Sequence, residues 1–348
     1  MKLMTLLGKR SEIIKLSLIL KVLDQHAEHV VVLTGETVDE GLSDVFFGDL
    51  EIRTPDIDLR EGGAPIDAAQ LTVKIGTLLR EFSPERLLVM GSSMAAAALA
   101  AAPNMTGRVF QLDAGRSDAA KDINAITSLY MPFGPEGREA LVLDGIPPRN
   151  ILVVGNPIKE VHETFAEAID DSGVMGALGV NPFDYFLATA HREENLAAPA
   201  ITRIMNSLES LATRFSKTIL FVSHPNTTRR FEELRLAAPQ GIRLLRALNF
   251  FDFVKLEKSA LAVISDSSSV QEECSILRVP NISLRSETAR PETIACGGSM
   301  LAGIEAEDLL RAVEVSIAQP AGWEPPAQYL TPNVSQVVSK IMLQARSL

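Results

Sequence analysis

Short apolar runs closed by glycine or polar residues recur along the chain at Lys2 to Leu7, His29 to Leu33, Arg86 to Met90, Arg108 to Leu112, Ile151 to Val154, Tyr185 to Thr189, Thr218 to Val222 and Leu261 to Ile264. Runs this brief and this continuously apolar fit parallel strands covered on both faces. Between them the period changes to that of helices: Ile201, Ile204, Met205, Leu208, Leu211 and Phe215 fall on one helical face. Strand and helix in alternation predict doubly wound α/β units. A chain of 348 residues exceeds what one core usually serves, so two such domains are expected. The stretch Gly155-Asn156-Pro157 reads as the crossover, giving domains 1–156 and 157–330. A Pro-rich connector from Trp323 leads to a final helix with Val334, Val337, Val338, Ile341, Met342 and Ala345 on one face. That face needs a partner, and residues 331–348 are expected to pack back on the first domain. The Ala-rich Met94 to Ala102 reads as a close-packed helix.

Composition narrows the function classes. No apolar run reaches the roughly 20 residues of a membrane helix, and the apolar part of the N-terminus is too short for a signal peptide, so a soluble, cytoplasmic protein without a membrane partner is expected. Cys274 and Cys296 lack CxxC spacing and give no basis for a disulfide framework or a zinc site; both read as small buried hydrophobes. A formal charge of −11 argues against a nucleic-acid partner, which needs a basic stripe, but leaves room for a small anion held by a few cations and helix ends. Neither GxGxxG nor GxxxxGK[ST] occurs, which disfavours a dinucleotide oxidoreductase or a P-loop NTPase.

In open α/β sheets ligands bind beyond the carboxyl ends of the strands. Here those positions hold Gly8, Lys9, Arg10, Ser11, Glu12 and Lys15, then Ser92 and Ser93, then Asp113 and Arg116. In the second half they hold His191, Arg192, Glu193 and Glu194, then His224, Pro225 and Asn226, then the run Ser265 to Glu273, SDSSSVQEE, and Arg290-Pro291-Glu292. The serine run follows a strand and opens a helix, where unpaired N–H groups and the positive end of the dipole suit a diphosphate. Taken alone, a serine or aspartate at such a junction is equally well explained as an N-cap.

The ordered set GKRSEIIK (8–15), DAG (113–115), AHREEN (190–195), SHPN (223–226), SDSSSVQEE (265–273) and ARPE (289–292) resembles the non-hydrolysing UDP-N-acetylglucosamine 2-epimerase family over nearly the whole chain. AHREEN with FFDFVKLEKSALAVISDSSS resembles most the branch that makes UDP-N-acetyl-L-fucosamine. The resemblance implies two Rossmann-like domains of the glycosyltransferase-B kind with the substrate in an interdomain cleft, a homodimer, no nicotinamide or metal in catalysis, and a role in making precursors of surface polysaccharide. It assigns Arg10, Lys15 and His191 to electrostatic support of the reacting sugar and leaving diphosphate, and Asp113 and Asp122 to proton transfer. Arg10, Arg192, His224, Ser267, Ser268, Ser269, Glu273, Arg290 and Glu292 are assigned to UDP-sugar binding, with Glu273 on the ribose hydroxyls and Glu193 orienting the His-Arg pair.

The chain also departs from the family pattern. GTRPE becomes Gly8-Lys9-Arg10-Ser11-Glu12, and GDT becomes Gly91-Ser92-Ser93, without its acid. EAG becomes Asp113-Ala114-Gly115, and the RxPEExNR segment is shortened to a stretch containing Lys121-Asp122-Ile123-Asn124. In the second half Ser268 and Ser269 replace glycines. The activity implied is C2 epimerisation of a UDP-N-acetylhexosamine by elimination and re-addition of UDP, with domain closure retaining the intermediate. Three alternatives stay open: a catalytically weakened UDP-sugar-binding paralogue, a hydrolysing 2-epimerase, and a glycosyltransferase of the same architecture.

Overall fold

The computed structural model describes residues 1–34, 40–60, 67–91, 109–115, 126–319 and 322–344. Ser92, Ser93, the Ala-rich 94–102 stretch, Arg116, Lys121, Asp122, Ile123, Asn124 and Ala345 lie outside the described residues. Two compact units are present, one of Met1–Thr164 with Ala327–Leu348, the other of Phe165–Pro326.

The first unit is built on β1 (Lys2–Leu7), β2 (Glu28–Leu33), β3 (Ile57–Asp58), β4 (Arg86–Met90), β5 (Val109–Leu112) and β6 (Thr127–Met131) in the order β3-β2-β1-β4-β5-β6. The second uses β7 (Tyr185–Thr189), β8 (Thr218–Val222), β9 (Ile242–Leu245), β10 (Ala262–Ser265), β11 (Asn281–Ser283) and β12 (Ser299–Leu301) in the order β12-β11-β10-β7-β8-β9. Every pairing is parallel. Both sheets therefore have the same doubly wound order, and each unit is a Rossmann-like domain. The order reverses between β1 and β4 in the first sheet and between β7 and β10 in the second, which sets the ligand crevice beyond those strand ends.

The central strands are the runs legible in the sequence, because both of their faces are covered: β4, β5, β7 and β10 are buried throughout. Two expectations fail at the edges. Ile151 to Val154 is no strand, and only Ile151 bridges to Tyr130; the true edge strand is β6. The strands β3, β9, β11 and β12 escape the apolar-run criterion because they are two to four residues long or carry polar residues. The edge strands β3, β9 and β12 show one side to water and need no continuous apolar run, whereas β11 lies buried between β10 and β12 and is simply three residues long.

Helices cover the sheets with the faces their spacing dictates. In Ala198–Phe215, residues Ile201, Ile204, Met205, Leu208 and Leu211 are buried in the core of the second unit together with Phe186, Phe221 and Ile264. Burying each such side chain stabilises by about 1.5–3 kcal/mol before ordering entropy is subtracted. The tail helix Val334–Leu343 lies on the helix Arg10–His26 of the first unit. It buries Val334, Val338, Ile341 and Met342, while Val337 turns outward at 41% exposure, one position off that stripe. Both its ends are fastened. Glu160 Oε2 accepts from the Ser335 N–H at 2.9 Å, and Arg86 Nη1 donates to the carbonyls of Ile341 and Met342 at 2.9 and 2.8 Å. Thr331 lies so close to Gly155, at φ +92°, that a Cβ there would stand 2.6 Å from its side chain. The helix Ile158–Thr164 packs on Arg10–His26 and so belongs to the first unit. Among the described residues no helix is long and apolar enough to cross a membrane.

Candidate functional site

Beyond the ends of β7 and β10 the second unit gathers its polar residues around Asp266. This carboxylate is 1% exposed. It accepts from the backbone N–H of His191 at 3.1 Å, the N–H of Arg192 at 3.1 Å and Asn195 Nδ2 at 2.9 Å, and its Oδ1 lies 3.1 Å from His191 Nδ1. Burial disfavours its charge, but the hydrogen bond and charge of His191 and the donors Asn195 and Arg192 outweigh that and hold the carboxyl down at about 2. An ionised Asp266 only accepts, so His191 Nδ1 carries a proton and Nε2 is the nitrogen left for a ligand.

The pairing draws the predicted residues together. Arg192 Nε donates to the Asp266 carbonyl at 2.9 Å, and its Nη2 reaches Ser268 Oγ at 3.4 Å. The His224 ring stands 5.6 Å from that of His191, and His224 Nδ1 accepts from the Asn226 N–H at 3.3 Å as the cap of the helix Pro225–Leu234. Thr227 Oγ1 donates to the Ala190 carbonyl at 2.6 Å and ties that helix to the loop after β7. Ser267 caps the helix Ser268–Leu277 through its hydroxyl, and its own N–H donates to Ser265 Oγ at 3.0 Å. Ser267 is therefore an N-cap and also opens a first turn whose N–H groups point out of the sheet beside Arg192.

Arg285, two residues past β11, comes to the same end of the sheet. Burial lowers its pKa, as does the charge of Arg192, against the opposing charges of Glu194, Asp266 and Glu287. Its Nη1 is buried without a hydrogen-bond partner among the described residues. A buried guanidinium nitrogen with no acceptor, near a second arginine and a helix N-terminus, is placed to receive an anion. Arg290 and Glu292 sit behind the serine run. Arg290 is buried in an ion pair with Glu272, and Glu292 is buried on the short helix Pro291–Ala295. Gln271 fixes this segment by donating to Thr293 Oγ1 at 2.6 Å and accepting from Thr288 Oγ1 at 2.8 Å. Glu273, also on Ser268–Leu277, is buried beside Glu257. Glu193 is exposed in the first turn of the helix Glu193–Leu196.

In the first unit, Glu12 Oε2 accepts from the N–H groups of Gly8 at 2.6 Å and Lys9 at 3.3 Å, closing the turn between β1 and Arg10–His26. That turn sets Arg10 over the Phe46 ring at 5.4 Å and Lys15, almost fully buried, over the Phe133 ring at 5.3 Å. Asp113 follows β5 in the left-handed region at φ 55°, with its N–H bonded to the Met131 carbonyl at 3.0 Å. Two residues on, Gly115 at φ +80° passes so close to Gly137 that a Cβ would lie 2.2 Å from its carbonyl oxygen. The Asp-Ala-Gly spacing is thus fixed by backbone packing. Asp122 lies outside the described residues.

Sequence reading missed Asp266 as the hub, because an aspartate after a strand reads as a cap. It missed Asn195, hidden inside AHREEN, and Arg285, because β11 is too short to announce that a strand end precedes it.

A family model described as UDP-N-acetylglucosamine 2-epimerase matches residues 21–343. The UDP-N-acetylglucosamine 2-epimerase of Methanocaldococcus jannaschii is 30% identical over 94% of this chain and 95% of that protein. The crystal structure of the M. jannaschii UDP-GlcNAc 2-epimerase in complex with UDP-GlcNAc and UDP superposes with a TM-score of 0.89 at 27% identity, covering 98% of this chain and 99% of that one. The UDP-2,3-diacetamido-2,3-dideoxy-D-glucuronate 2-epimerase of Pseudomonas aeruginosa is 25% identical over 92% of this chain and 93% of that protein. With the family model covering most of its length, the chain belongs to the UDP-N-acetylglucosamine 2-epimerase family.

Proposed function

We propose that the protein epimerises C2 of a UDP-N-acetylhexosamine by eliminating and re-adding UDP. The observation that carries the reading is the Asp266 hub, which fixes His191 and Arg192 beside the N-terminus of Ser268–Leu277. A diphosphate there would meet Arg192, Arg285, the Ser268 and Ser269 hydroxyls and the first-turn N–H groups, with His224 alongside, Glu273 taking the ribose hydroxyls, and Arg290 and Glu292 fixing the nucleotide end from behind.

The C2 proton of such a sugar is weakly acidic, because no carbonyl is adjacent to it, so a base alone is insufficient. In this mechanism the C2–H and anomeric C–O bonds break together. The proton passes to a carboxylate, the bonding pair forms the C1–C2 double bond, and UDP departs with the electrons of the C–O bond, leaving a 2-acetamidoglycal. Protonation of C2 from the opposite face and return of UDP to C1 give the epimer. Asp113 and Asp122 are the groups assigned to the proton. His191, Arg10 and Lys15 stabilise the charge that develops on the leaving diphosphate. Every atom is returned, so no redox partner is required.

The sugar is the finer proposal. The likeness of Phe250 to Ser269 to the branch that makes UDP-N-acetyl-L-fucosamine favours a 6-deoxy-L-sugar nucleotide, and the Pseudomonas relative acts, by its name, on a different UDP-sugar. A homodimer working in the cytoplasm on a precursor of surface polysaccharide belongs to the same reading. The purified protein should be incubated with UDP-GlcNAc and with its 6-deoxy-L relatives, and the products identified by NMR. The reading expects a C2 epimer with traces of glycal and UDP. Free sugar would identify a hydrolase, transfer to an added acceptor a glycosyltransferase, and UDP binding without any product the weakened paralogue to which Ser92 points.

A further inference from the structure

The second unit contains a carboxyl pair that no step above uses in full. Glu257, on the helix Phe250–Lys258, has no solvent exposure, and Glu273, which it faces, keeps 4%. Cys274, which adjoins both, belongs to a core cluster with Leu256, Val263, Val270 and Val279. The Cys274 thiol donates to Glu257 Oε1 at 3.2 Å. Among the described residues the groups that act on the charge of Glu257 are Glu273 and Cys274, and none of them is a cation.

Two carboxylates in contact inside an apolar core cannot both be ionised, and one must keep a proton. The proton belongs on Glu257, the member with no water and no cation; burial first, then the charge of Glu273, push its carboxyl well above the usual range. A protonated carboxyl has one O–H to give. Oε1 already accepts from the thiol, Oε2 has no hydrogen-bond partner among the described residues, and the neighbouring side chain able to accept is Glu273. Of the two acids only Glu273 retains surface through which a ligand can touch it.

We propose that Glu257 is a positioning residue: as a neutral acid it donates a hydrogen bond to Glu273 and holds that carboxylate in the one orientation that receives the ribose hydroxyls of the nucleotide. The proposal rests on the UDP site described above. Its consequence is selectivity for the ribonucleotide, because a Glu273 that lacks this hydrogen bond is less well oriented and gains less from the 2′-hydroxyl.

The test compares UDP with 2′-deoxy-UDP by calorimetry in the wild type, Glu257→Met and Glu257→Gln. The wild type should prefer UDP by about tenfold, the worth of one well-placed hydrogen bond to a charged group. Glu257→Met, which fills the space without a donor, should bring the ratio close to one with little change for 2′-deoxy-UDP. Glu257→Gln, whose amide still donates, should keep the preference. Infrared difference spectra at neutral pH should show the carbonyl stretch of a protonated carboxylic acid in the wild type and not in Glu257→Gln, a reading that holds even where Glu257→Met does not fold. An unchanged ratio in Glu257→Met, or no such band in the wild type, overturns the proposal and leaves the UDP site standing. A wild type that binds no UDP overturns the site itself, and the infrared band still reports separately on the proton at Glu257.

Discussion

At the carboxyl end of β10, Asp266 binds donors from a loop more than 70 residues away, joining the segment after β7 to the serine run. At the matching end of β1, Glu12 accepts from two amides of its own turn. The two units share a strand order, yet the carboxylate after β10 joins two strand ends while the one after β1 closes its own turn. A cross-linked crevice is organised before a ligand arrives and can hold a constant group such as a diphosphate. In the first unit Arg10 lies over Phe46 and Lys15 over Phe133, and Asp113 stands in a left-handed turn. The departures from the family pattern, Ser92 and the shortened stretch through Asp122, fall in the sequence of the first unit and outside the described residues. In the proposed reading the second unit supplies most of the contacts to UDP and the first supplies the carboxylates that move the proton.

Substitution of Asp266 should break the comparison most severely. Asp266→Ala leaves several buried donors without an acceptor, so a loss of about 3–5 kcal/mol in stability is expected, with UDP binding falling below detection in calorimetry. Because the folded carboxyl sits at about 2 against an ordinary 3.8, the stability it contributes is present above pH 3.8 and is lost as pH falls towards 2. Acid titration of the wild type should show this, and Asp266→Asn should flatten it.

Lys15→Met keeps the packing on Phe133 and removes the charge. It should lower kcat by about 100-fold while UDP affinity stays near that of the wild type; a loss of UDP affinity as large as the loss of kcat would blur the proposed division. Arg285→Ala is the converse. Binding of UDP should weaken by about tenfold, with kcat at saturation much less affected, as steady-state kinetics beside calorimetry would show.

The smallest effect separates the units by pH. His29 in the first unit is buried between Thr5 Oγ1 at 2.8 Å and Asp24 Oδ1 at 2.7 Å. Burial lowers its pKa below the ordinary 6.5 despite the Asp24 contact. The folded chain then holds His29 neutral while the unfolded chain takes up a proton, so stability declines as pH drops below about 6.5. Replacing His29 with Gln should remove that slope from thermal melts between pH 7 and 5.

How much of this the sequence showed follows from burial. Strands covered on both faces, such as β4, β7 and β10, announced themselves as apolar runs, and so did the stripe of Ala198–Phe215. The tail helix was visible too, though Val337 was drawn onto a face it does not share. Edge strands were invisible, since a half-exposed strand such as β9, with arginine in its middle, has no apolar run to detect. At the site, the sequence singled out residues whose chemistry is carried by their own type: His191 and Arg192, which the structure gathers around Asp266, and Glu273 and Arg290, which it buries near the serine run. Residues whose importance arises from what folds against them were not singled out. Asp266 matters because β7 lies beside β10, Arg285 because β11 ends next to the serine run, and Glu257 because its helix faces Glu273. None of these neighbours is near in sequence.

The most direct measurement is the wild-type reaction in D2O, with the C2 position of recovered and epimerised UDP-sugar followed by NMR. Elimination and re-addition predicts deuterium at C2 of both epimers, with label appearing at the rate of turnover. An epimer formed with C2 unlabelled, or no label and no epimer with UDP-GlcNAc or any of its 6-deoxy-L relatives, would contradict it.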